Sequence, residues 1–78
     1  MSAAVVMSVS DEFLEEYIGY ETSVITTDEY CLRGTLGYNN SVFYDECRFS
    51  ITDADDDKIK YYINAEDIKT IAVKVKGD

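Results

Sequence analysis

Gly34 lies inside a run that otherwise favours extended structure, Tyr30 to Tyr38, and it restricts the fold more than any other position. A glycine in a strand interior forfeits side-chain packing and costs backbone entropy, so it signals a sharp bend or a close approach by another backbone. The same requirement appears upstream. Gly19 follows a helical segment and is able to enter the left-handed conformation that ends a helix. Thr22 to Thr27 is rich in β-branched residues, the pair Asp28-Glu29 breaks it, and the next run climbs through Gly34 to Leu36. A helix stop, two strands and a bend are the elements of a small, strongly curved sheet.

The flanking segments fit that plan. Ser10 is a good N-cap, and Asp11 and Glu12 sit in the first turn, where the helix dipole favours negative charge. Phe13, Leu14, Tyr17 and Ile18 form one apolar stripe that would cover an open end of the sheet. Residues 1–9 are small, apolar and without period, and are expected to form a flexible arm, with the domain spanning 10–78. Within the arm, Met7 offers an alternative start. Val42 to Thr52 is expected to pair with Tyr30 to Tyr38 through a two-residue turn at Asn39-Asn40, since asparagine tolerates positive φ. That register pairs residues whose numbers sum to 79, setting Leu36 opposite Phe43, Arg33 opposite Glu46 and Cys31 opposite Arg48. It also sets Asp45 opposite Gly34, on the apolar face, which calls for a bulge near Asp45. Asp53 to Asp57 reads as a turn. It lacks the glycine and the glutamate of a calcium loop. Lys58 to Ile63 alternates as a fourth strand, Asn64 to Asp67 connects, and Ile68 to Val75 is a fifth.

Composition removes several classes of function. With no histidine in the chain, the usual general base and the commonest metal ligand are missing, and two cysteines alone do not make a zinc site. No catalytic constellation stands out, and neither an enzyme nor a cofactor is expected. Because Cys31 and Cys47 fall on opposite faces of the expected hairpin, no bridge between them is anticipated, and free thiols fit a reducing, cytoplasmic setting. The apolar patch Ala3 to Met7 is too short to span a bilayer. The net charge of −9 argues against a surface that attracts phosphate everywhere. Its distribution is uneven: residues 1–57 carry two basic groups against thirteen acidic, a balance of −11, and 58–78 carry five lysines against three acids, a balance of +2.

Ile18-Gly19, then Asp28, then Gly34-Thr35-Leu36, resembles the opening of an Sm-like (Sm, LSm and Hfq) domain, in which a short helix runs into Ile-Gly, an Asp turn and a Gly-x-Leu strand. Ile63-Asn64-Ala65-Glu66-Asp67-Ile68 is similar to the family's second motif. The resemblance implies a mainly β fold: a small, strongly bent five-stranded antiparallel SH3-like barrel with an N-terminal helix. It further implies assembly into a ring through edge strands, and a homo-oligomer that binds single-stranded RNA or scaffolds RNA processing. Two loops supply the RNA contacts in that family, which places Tyr38, Asn39 and Asn40 in the first and Asn64 in the second. Arg48 adds the most available guanidinium on an acidic chain. The usual Asp-x-aromatic-Met-Asn pattern is missing here, the segment after Gly34 is longer by about four residues, and Asn64-Ala65 replaces Arg-Gly. A second reading follows from the charge: an acidic β module that binds a partner protein and mimics nucleic-acid charge.

Overall fold

A computed structural model describes residues 2–6 and 9–75. Strand β1 (Ser2–Val6) precedes helix α1 (Asp11–Glu16), and β2 (Glu21–Thr26), β3 (Cys31–Tyr38), β4 (Phe49–Asp53), β5 (Lys60–Ile63) and β6 (Ile68–Val75) follow. Short 3-10 turns cover Val42–Tyr44 and Ala65–Asp67. The strands form one six-stranded sheet in the order β1-β6-β2-β3-β4-β5, antiparallel at every pairing.

The sheet curls but does not close. In a flat sheet, β5 and β6 would stand four strand spacings apart, roughly 19 Å. Here a single 3-10 turn joins them, with the Asp67 amide bonded to the Asn64 carbonyl at 2.9 Å. Ile63 on β5 and Ile71 and Val73 on β6 accordingly share one core with Leu14, Val24, Leu36, Phe49 and Ile51. The closed barrel implied by the resemblance is therefore not formed: among the described residues, β1 and β5 remain the two edges of an open, curved sheet.

Local chemistry explains the helix and the bends. Ser10 caps α1 by accepting from the Phe13 amide at 3.2 Å, and Leu14 is fully buried beneath the helix. Gly19 takes φ 92° as the chain turns into β2, and its amide donates to the Leu36 carbonyl at 2.7 Å. Gly34 meets the close approach its position foretells. A Cβ there would lie 1.8 Å from the Thr52 carbonyl oxygen. The buried Thr22 hydroxyl completes the corner by donating to the Gly34 carbonyl at 3.1 Å.

The tight hairpin is not formed. Gly34 pairs with Asp53, Leu36 with Ile51 and Tyr38 with Phe49, so paired numbers sum to 87 instead of 79. A long loop from Asn39 to Arg48 separates the strands, and the bulge expected near Asp45 is unnecessary because Asp45 lies in that loop. Burial decides between the two registers. The observed one places Phe49 and Ile51 fully inside, whereas Val42 and Phe43 stay 82% and 86% exposed. Each large apolar side chain buried contributes about 1.5–3 kcal/mol, more than a compact turn returns. Cys31 lies beyond the β3–β4 ladder and so is not opposite Arg48; its partner is Ile25 on β2, and both cysteines are free. The fourth expected strand starts at Lys60, after a turn in which Asp53 Oδ2 accepts from the Asp55 and Asp56 amides. Residues 2–6 of the expected arm run as β1 beside β6, while Met1, Met7 and Ser8 lie outside the described residues.

Candidate nucleic-acid interface

The two loops singled out by the resemblance meet at one end of the sheet. Asn64 joins them: its Oδ1 accepts from the Arg48 amide at 2.8 Å and its Nδ2 donates to the Glu46 carbonyl at 2.8 Å. Asn39 organises the longer loop from within, donating through Nδ2 to the carbonyls of Tyr44 (2.6 Å) and Cys47 (2.7 Å). Its Oδ1 accepts from the Ser41 amide at 2.7 Å, and Ser41 in turn caps the 3-10 turn by accepting from the Phe43 amide. Both amide side chains are thus committed to holding the loops.

Arg48 is committed as well. Its guanidinium donates to Asp11 Oδ2 at 3.0 Å and Glu15 Oε2 at 2.8 Å, and stands 5.9 Å over the Phe49 ring. The arginine that looked most available ties α1 to the start of β4. Tyr38 and Asn40 remain accessible. Tyr38 stacks on Phe49 with centroids 6.0 Å apart and keeps about half its surface in solvent.

Around these two, the fold gathers side chains that sequence spacing did not single out. Tyr38, Asn40, Ser41, Ser50, Lys60 and Tyr62 line a hollow of about 170 Å³. Lys60 and Tyr62 share one face of β5, as alternate strand residues do, and that alternation was the available signal. Tyr62 stacks on Tyr44 at 4.6 Å with planes only 14° apart. Beyond this pair lies a wider cleft of about 570 Å³, bordered by Tyr30, Leu32, Tyr61 and Ile63 and again by Lys60 and Tyr62. It lies between β5 and the β2–β3 connection.

The field at this end is mixed. Burial first, then the charges of Glu46 and Asp67, push the Cys47 thiol up from its ordinary value. Burial and the neighbouring Asp53, to whose Oδ1 its hydroxyl donates at a long 3.4 Å, raise Tyr61 likewise. Arg33 is paired with Asp55 and Lys69 with Glu29, whereas Lys60 forms no ion pair with a described residue. The arrangement offers two aromatic faces with their phenolic hydroxyls, one amide, two serine hydroxyls and one ammonium around a small concavity. Such a set suits a stacked planar group carrying an adjacent negative charge.

Comparison with protein-family models, curated proteins and solved structures returns no match to this chain. No helix among the described residues is long and apolar enough to cross a membrane.

Proposed function

We propose that the chain is a divergent, acidic Sm-like protein of the cytoplasm that binds single-stranded RNA weakly and scaffolds RNA processing, without chemistry of its own. The observation that carries this reading is the convergence of the Asn39–Arg48 and Asn64–Asp67 loops, clasped through Asn64, beside the hollow lined by Tyr38, Asn40, Lys60 and Tyr62. Bases stack on the tyrosines and Lys60 meets a phosphate. Because Asn39 and Asn64 are spent on the loops, recognition is tolerant of sequence. Ring assembly through edge strands belongs to the same reading, and the outer side of β5, without a partner among the described residues, supports it.

Fluorescence anisotropy with short labelled single strands at low salt tests the proposal. Binding is expected, with Lys60→Ala weakening it several-fold and flattening the plot of log affinity against log salt by about 0.7. Arg48→Ala leaves the affinity unchanged, since its guanidinium is held by Asp11 and Glu15. Absence of binding by any short single strand refutes the reading.

The exposure of Val42 and Phe43 favours a second reading, the acidic protein-interaction module. These side chains project from a loop fixed by Asn39 and flanked by Asp45 and Glu46, which suits an apolar socket with a basic rim. Under this alternative, a basic partner is recovered by the parent chain, is displaced by DNA, and is lost with Phe43→Ser but kept with Lys60→Ala.

A further inference from the structure

Strand β6 carries a ladder on each side. β2 runs along one side from Thr22 opposite Val73 to Thr26 opposite Ile68, and β1 runs along the other from Ser2 opposite Val75 to Val6 opposite Ile71. Seating a second copy's β5 on β6 needs a bare β6 edge, and β1 occupies that edge. We infer that β1 is a displaceable occupant of the β6 edge, and that the bare β5 edge of a second copy competes with it for that seat.

Three observations carry this. First, β1 pairs with β6 alone, so its hold is one five-residue ladder whose outer side has no partner among the described residues. Its departure leaves the β6–β2 ladder and the capped helix α1 in place, because Ser10 and Leu14 anchor the helix by themselves. Second, β1 lacks the usual guards of charge and proline, and β5 carries one of them in Lys60. Solvent-facing edge strands are commonly blunted by charge, proline or a bulge. β1 reads Ser-Ala-Ala-Val-Val, the chain contains no proline, and β5 has Lys60 as its one charge. Third, β5 is a four-residue strand with one ladder to β4 and no partner on its outer side among the described residues, so it fits within the five-residue β6 segment that β1 covers. Strand addition is held by main-chain bonds and asks little of the incoming sequence.

The competition is unequal. β1 is tethered, and a short tether gives an effective concentration of about millimolar, so micromolar second copies lose to it. Assembly on the β6 edge therefore waits for the release of β1. Met7 falls just after the strand, so a chain begun there carries the bare β6 edge from the start.

The inference rests on the ring reading above, and the experiment separates the two. Ala3 and Lys74 are directly paired. Antiparallel partners have Cα atoms about 4.5–5.5 Å apart, within disulfide range. In a chain carrying Cys31→Ser and Cys47→Ser, the further pair Ala3→Cys and Lys74→Cys staples β1 to β6 when oxidised. A second full-length variant, Ala3→Pro with Ala4→Pro, removes adjacent amides, one of which faces β6 because strand donors alternate in direction. Native mass spectrometry and light scattering across a concentration series read the outcome. The oxidised staple is expected to stay at 8.8 kDa throughout. Its reduced form is expected to assemble as the parent does, and the double-proline chain at a concentration at least tenfold lower than the parent. Assembly of the oxidised staple as readily as its reduced form overturns the inference and leaves the ring reading standing. Multi-copy species in none of the chains remove the ring reading, and this inference with it. Should circular dichroism show the proline variant unfolded, the staple in its two redox states decides alone.

Discussion

Gly34→Ala tests the packing argument most directly. The added Cβ would stand 1.8 Å from the Thr52 carbonyl oxygen and 2.6 Å from its carbon, both backbone atoms. Reaching ordinary contact at 3.4 Å requires β3 and β4 to separate locally by about 1.6 Å, the difference of those distances. That movement weakens the ladder around the Gly34–Asp53 pair and draws the Gly34 carbonyl from the buried Thr22 hydroxyl. Losing two ladder bonds at about 1 kcal/mol each, and leaving a buried hydroxyl unpaired at about 1–3 kcal/mol, sums to roughly 3–5 kcal/mol. A chain of this length is stable by only about 4–12 kcal/mol, so the variant sits near the edge of folding. Urea unfolding should show the midpoint falling by about 3–5 M, given a slope near 1 kcal/mol per molar. The internal control is Gly37→Ala on the same strand, where the nearest atom is Ser50 Oγ at an ordinary 3.5 Å. There, lost freedom in the unfolded chain predicts a gain of about 0.4–1 kcal/mol. A Gly34→Ala cost below about 1 kcal/mol, less than one lost bond with its partner left unpaired, would refute the reasoning.

Asn39→Ala removes three hydrogen bonds from the loop and is expected to cost about 1–2 kcal/mol, with faster amide exchange at Ser41 and Cys47; unchanged exchange would contradict its role as the organiser. Tyr61 titrates above the ordinary value of 10.0, because burial and Asp53 favour its neutral form. Its contribution to stability is thus present below that ordinary value and lost as the pH climbs through the raised one; ultraviolet titration and alkaline melting of the parent against Tyr61→Phe check this, and identical profiles would defeat it. Iodoacetamide at pH 8 should modify the exposed Cys31 well before Cys47, whose thiolate is disfavoured by burial and by Glu46 and Asp67; equal rates would count against the geometry.

Much of the framework was legible because single residues carried steric meaning. Ser10, Gly19, Gly34 and the run from Ile68 to Val75 announced a cap, a helix stop, a bend and a strand, and each stands where expected. The hairpin register was not legible. Asn39-Asn40 suits a tight turn, but Asn39 instead spends its side chain on an extended loop, and the burial of Phe49 and Ile51 outweighs local turn preference. Likewise, the type of Arg48, Asn39 and Asn64 pointed to ligand contact, but partners distant in sequence, Asp11, Glu15 and Glu46, absorb two of them. Lys60 and Tyr62 read from the sequence only as residues of the fourth strand, because their place beside Tyr38 depends on the observed register.

The clasp made by Asn39 and Asn64 separates what supports this end of the molecule from what it presents. Val42 and Phe43 bear none of the framework's load, and replacing them alters the outward face without disturbing the sheet behind it. The tip is thus free to vary, and what this end presents to solvent can change at little cost to folding.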